Sequence, residues 1–201
     1  APDTLSIRPG KWNIDSWLFV PQGFKLIIQA GTLLRFSSSS GLISRGAVFI
    51  NGATDNPVVL GGRDGEGGKG LWQGIFVLNT KEPSIWSNVI IKDTSGISLK
   101  GWDLTGGTTF YQADVILNNV SFSGNLSEDS LNIVRSKFEL NKIDIENALS
   151  DGFDSDFSKG VVIKGEFKNI GLAGGGDAID VSGTTIDIIE TKFKDIGDKA
   201  I

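Results

Sequence analysis

The chain of 201 residues contains no cysteine, no histidine and no methionine. Without cysteine there are no disulfides and no thiol-ligated metals. Without histidine the commonest general base, the Ser-His-Asp triad and imidazole metal sites are all excluded. Without methionine, Ala1 is not a translation start, and the chain reads as a processed product or a piece of a longer polypeptide. Proline is sparse at 5 residues, too few for a proline-rich disordered linker. No apolar run reaches membrane-spanning length and no signal-peptide pattern is present. The formal net charge is -5, and no long basic run occurs. Nucleic-acid binding therefore has no electrostatic footprint, and an acidic surface repels an anionic membrane.

What is abundant is glycine, at 27 residues, and short apolar runs. Runs at 17–20, 26–28, 33–36, 42–43, 47–50 and 58–60 are rich in β-formers and too short for helices. Turn signals separate them: Pro21-Gln22-Gly23, Ala30-Gly31, Gly52 and Asn56-Pro57. The runs come in threes. Leu18, Leu26 and Leu33 begin one set, and Leu42, Val48 and Val58 begin the next, at offsets of 24, 22 and 25 residues. A nearly constant offset with three strands per repeat predicts an all-β solenoid, a right-handed parallel β-helix with three strands per coil. A sandwich would favour hairpin turns and stricter polar alternation.

The second half repeats more visibly. Asp129, Asp151, Asp177 and Asp198 recur at spacings of 22, 26 and 21 residues. Phe122, Phe138, Phe167 and Phe193 precede or flank them at less regular spacings of 16, 29 and 26, which suggests insertions or bulges around a stacked aromatic ladder. Residues 1–201 are read as one β-helix domain with an N-terminal cap at about 1–17, where Pro9-Gly10 and Trp12 stand. The repeat runs to the last residue, so the stack is expected to continue in further domains of the same polypeptide or to cover its open end by oligomerisation.

The run Phe19-Val20-Pro21-Gln22-Gly23-Phe24-Lys25-Leu26-Ile27-Ile28-Gln29-Ala30-Gly31-Thr32 resembles the opening coil of bacterial surface β-helices of the pectate-lyase-like superfamily. Gly52-Ala53-Thr54-Asp55-Asn56-Pro57-Val58 and Leu71-Trp72-Gln73-Gly74-Ile75 resemble their following turns. Asp129-Ser130-Leu131-Asn132 and Asp177-Ala178-Ile179-Asp180 resemble β-helix modules of proteins that also carry a CotH-type kinase domain. The resemblance implies a secreted or cell-surface bacterial protein. It leaves function open, because this fold hosts lyases, hydrolases, epimerases, adhesins and stalks.

If the repeats stack in register, Asp129, Asp151, Asp177 and Asp198 form one column, and Asn132, Asp154 and Asp180 a second. Neighbours would lie about 5 Å apart, where like charges raise each other's pKa or recruit a cation. Oxygen-only ligands suit calcium, with Asp129, Asp154, Asp177 and Asp180 as its ligands. The alternative is that these are turn residues bonded to backbone amides. A polysaccharide-processing enzyme (lyase, glycoside hydrolase or epimerase) would draw on Asp151, Asp154, Asp156, Asp177, Arg135 and Lys159, and needs two or three of them in one groove. A surface or carbohydrate-binding module needs no such convergence. It would use Trp72, Trp86 and Trp102 to stack on the sugars of a polysaccharide or other surface glycan. Residues 61–70, with Arg63, Asp64, Glu66 and Lys69, lack the Walker spacing of a phosphate loop and read as an exposed loop.

Overall fold

The computed structural model describes residues 3–63, 72–99 and 101–201; the loop expected over 61–70 falls, from 64 on, outside them. Every regular element among the described residues is a strand. The strands form a thirteen-stranded sheet, a seven-stranded sheet and a two-stranded hairpin. Pairing is parallel throughout the two large sheets, and the chain makes about eight turns of a β-solenoid.

The repeat offsets set the register. Leu18 lies beside Leu42 and Leu26 beside Val48. The third run is offset by one more residue, so that Leu33 meets Val59 rather than Val58. Side chains alternate along a strand, so this step decides which ones enter the core. It puts Leu34, Phe36, Val58 and Leu60 inside, all fully buried. Residues 1–17, expected as a cap, supply Thr4–Ile7 and Gly10–Ile14, which pair in register with Lys25–Gln29 and Thr32–Phe36.

Asparagine, which tolerates the left-handed region, stands where a strand changes neighbour. Ser84–Lys92 pairs with Val48–Asn51 before Asn88 and with Val58–Gly62 after it, and Asn88 has φ 52°. Asn119 and Lys142 repeat this conformation in later coils, and the Asn119 amide donates to Asn88 Oδ1 at 2.7 Å. Hydroxyls tie coil to coil elsewhere. The backbone N–H of Ala113 donates to Ser136 Oγ, that of Ser136 to Ser158 Oγ, and that of Ser158 to Thr184 Oγ1, at 2.9–3.1 Å. Each hydroxyl satisfies a buried amide that would otherwise cost free energy.

The expected phenylalanine ladder is two columns. Phe122, Ile145, Phe167 and Phe193 stack in one, with the last two rings 5.4 Å apart. Phe138 lies on a different stretch of its coil, beside Val115 and Gly160, and packs edge-on against Phe153. The spacings of 16 and 29 arise from this change of column, whereas the 26 residues from Phe167 to Phe193 are a longer coil within one column, against 23 and 22 in the two before it. In the final coil Val181, Ile186, Ile188, Phe193 and Ile196 are only half-buried.

Several inward positions are polar, among them Ser44 and Ser155, whose hydroxyls have partners. Thr108 sits inside the column Ile75–Thr108–Leu131, fully buried, and its hydroxyl has no partner. Thr108→Val keeps the shape and removes an unsatisfied group. It is expected to stabilise the fold by about 1 kcal/mol in urea denaturation; a loss of stability would show that the hydroxyl is satisfied by water.

Candidate functional site

The outer face of the seven-stranded sheet carries the acidic repeat. Asp129–Val134, Asp151–Asp156 and Ile179–Ser182 lie side by side, with Asp129 beside Asp151 and the series Asn132–Asp154–Asp180 in register. Leu131, Ile133, Phe153 and Ile179 point into the core and are fully buried. Alternation therefore turns Asn132, Asp154, Asp156 and Asp180 outward onto one face.

The first column neutralises its charge through the backbone. Asp151 Oδ1 accepts from the Asp177 N–H at 2.9 Å, and Asp177 Oδ1 accepts from the Lys199 N–H at 2.8 Å. The fourth place beside Asp177 thus belongs to Lys199, one residue beyond Asp198. The Lys199 ammonium lies 3.6 Å from Asp177 and 3.1 Å from Asp198. The turn-residue reading holds for Asp151 and Asp177, and the column ends on a cation.

The second column is held differently. Asn132 is buried, and its Nδ2 donates to Asp129 Oδ2 and to Asp154 Oδ2, both at 2.9 Å, with Thr105 Oγ1 at 3.2 Å. One amide therefore bridges two carboxyls. Its own Oδ1 is buried without a partner. Burial pushes the Asp129 carboxyl up to about 6, partly opposed by its bonds to Asn132 and Thr105. Burial pushes Asp154 up to about 7, and the charges of Asp129, Asp156, Asp180 and Asp151 push the same way. Asp151 is also raised, chiefly by burial. The corner ahead of Asp129 is fixed by a polar cluster in which Thr94 and Ser127 donate to Asn125 Oδ1, and the Ser127 hydroxyl also contacts the Asp129 carbonyl oxygen at 2.9 Å.

Beside this face the hairpin Ile97–Leu99/Trp102–Leu104 folds over the sheet and covers Ile43, Phe76 and Leu78. Trp102 meets Phe76 edge-on at 5.5 Å and remains 40% exposed. The hairpin delivers Thr105 to the Asn132 amide, and it borders a cavity of about 300 Å³ lined by Asp103, Thr105, Ser127 and Glu128. Tyr111 packs against the same Ile43, Phe76 and Leu78 cluster and lies in register with Val134 and, one strand further, Asp156.

The other expected site residues fall elsewhere. Trp72 and Trp86 are fully buried, which leaves no ring face for a sugar. Trp72 stacks on Phe36 at 4.3 Å and donates from Nε1 to the Lys92 carbonyl; Trp86 packs on Phe110 and donates to the Val48 carbonyl. Lys159 pairs with Lys137 on the large sheet, away from the acidic face. Arg135 stands with φ 50° and its guanidinium 5.9 Å from the Phe157 ring, beside Asp156 through a backbone bond. Among the described residues no group of three or more acidic side chains is arranged as a metal cage.

The fold and this face define a parallel β-solenoid with an acidic stretch on the outer surface of its seven-stranded sheet. No family model, curated protein or solved structure matches the chain.

Proposed function

We propose that this chain is an exported or surface-attached glycan-binding solenoid, and that neutral polysaccharide lies on the outer face of the seven-stranded sheet. The coil would be right-handed with three strands, as parallel crossovers favour and as the recurring left-handed residues at three places per repeat support. The observation that carries the functional reading is the outer face itself. It turns Asp154, Asp156 and Asp180 outward as hydrogen-bonding groups, with Tyr111 two strands from Asp156 and the 40% exposed Trp102, seated on Phe76, three strands from Asp154. Sugars are recognised by such a pairing of polar side chains with aromatic faces. The excess of carboxyls disfavours polyuronates.

Binding is proposed over cleavage because Asp129, the carboxyl whose charge acts most on Asp154, is 3% exposed and so closed to a substrate. A glycosidase needs both carboxyls on the substrate. Calorimetry against neutral oligosaccharides and polyuronates tests the proposal. Neutral chains are expected to bind, and Asp154→Ala and Trp102→Ala are each expected to weaken binding about tenfold. Absence of binding by any neutral chain, or release of new reducing ends, would overturn it.

Calcium is a second reading with one observation in its favour. Turning the Asn132 amide would give its unpartnered Oδ1 to the space between Asp129 and Asp154. At a hundredfold excess over its dissociation constant, calcium would then raise the melting temperature by about 5–10 °C. Superimposed melting curves in EDTA and in millimolar calcium would remove it.

A further inference from the structure

A cavity at the opposite end of the stack has the opposite charge. Four successive passes of the chain line it, and its volume is about 280 Å³. Lys25, Arg45, Lys81, Asp3 and Glu82 supply the charged part of its lining, and Phe24 forms part of the wall. The backbone beneath the cations is fixed. The Lys25 N–H donates to the Asp3 carbonyl and the Arg45 N–H to the Val20 carbonyl, both at 2.9 Å. A Cβ at Gly46 would stand 1.6 Å from the Phe24 carbonyl oxygen, so only glycine lets these passes lie so close.

The charges in this cavity are not spent on one another. The ion pairs among the described residues join Arg63 to Asp15, Lys164 to Glu190, and Lys199 to Asp177 and Asp198. Lys25 is half-buried with its ammonium 5.9 Å from the Phe49 ring, which places it without neutralising it. Three cations against two carboxylates leave a net positive cavity on an otherwise acidic protein. Its size is at the low end for ligand sites, nearer one monosaccharide than a longer ligand. The Phe24 ring, 36% exposed, supplies an apolar wall.

We propose that this cavity binds a single sugar unit bearing one anionic group, a carboxylate or a sulfate. The anion meets Arg45, Lys25 and Lys81, where charge-assisted hydrogen bonds are strongest. The pyranose face lies on Phe24, and sugar hydroxyls donate to Asp3 and Glu82. The site is independent of the outer face of the seven-stranded sheet and selects for the opposite charge.

Calorimetry with galacturonic acid, galactose 6-sulfate and neutral galactose tests this on the whole chain, in the wild type and in Arg45→Gln and Lys81→Gln. At least one of the two acids is expected to bind, and the tighter one identifies the anion. Each substitution is expected to weaken it about tenfold or more, and raising sodium chloride from about 50 to 500 mM is expected to weaken it further. Asp154→Ala is expected to leave it unchanged. Failure of both acids to bind, equal binding of an acid by the variants, or equal binding of galactose that persists in Asp154→Ala would overturn the proposal. Because the neutral-glycan assay reads the other face, either reading can fail without the other.

Discussion

Trp86→Ala is expected to lower stability by about 3–5 kcal/mol. Trp86 is fully buried, its ring lies 5.1 Å from Phe110, and its Nε1 donates to the Val48 carbonyl at 3.1 Å. It stands in register between Ile50 and Leu117, and both neighbours are held by parallel ladders on their own far sides. The coils therefore cannot collapse into the void, and the cavity term is paid nearly in full. Trp86→Phe should recover the ring packing but leave the carbonyl without its donor, at an intermediate cost. Trp102→Ala, at a partly exposed ring, should cost only about 1 kcal/mol. Urea denaturation of the three variants separates structural from surface tryptophans. A loss below about 1 kcal/mol for Trp86→Ala would contradict the core described here.

The fold is expected to be more stable at pH 5 than at pH 8. Asp129 and Asp154 are raised from 3.8 to about 6 and about 7, first by burial and then by neighbouring carboxylates. Both are acids whose folded pKa lies above the unfolded value, so between pH 4 and 7 the folded chain holds more protons than the unfolded one. Stability then falls as pH rises through that window and levels off above it. The two carboxyls share the Asn132 amide and titrate as a pair. Asp154 is partly open to solvent, and screening reduces its share of the loss to about 2 kcal/mol. Asp154→Asn should recover roughly that amount at pH 8 and flatten the profile. A profile that rises from pH 5 to pH 8, or an Asp154→Asn variant less stable at pH 8, would contradict the assignment.

The solenoid could be read from the sequence because each coil repeats the same short apolar run, turn and polar step. Leu18 over Leu42 and Leu26 over Val48 follow from spacing alone. So does the pairing of Asn132, Asp154 and Asp180 on one face. What spacing does not carry is which side of the wall a side chain takes when a corner gains or loses a residue. That uncertainty displaced Leu33 by one place, split the phenylalanines into two columns, and put Lys199 where Asp198 was expected. Trp72 and Trp86 were open to a sugar-stacking reading for the same reason, since tryptophan is common both in cores and at ligand faces. The hairpin lies outside the repeat, so Thr105 and the cover over Phe76 had no periodic signal. Its local sign was there: Ile97-Ser98-Leu99 and Trp102-Asp103-Leu104 alternate on either side of Gly101, which takes φ 82°.

The most direct test of the proposed glycan face is chemical-shift mapping of the isotope-labelled chain with a neutral oligosaccharide that binds it. Perturbations are expected at the amides of Tyr111, Asn132, Asp154 and Asp180 and at the Trp102 indole, with none at Lys25 or Arg45. Perturbations confined to the cavity around Arg45, or spread over the large sheet with the acidic face silent, would contradict the account.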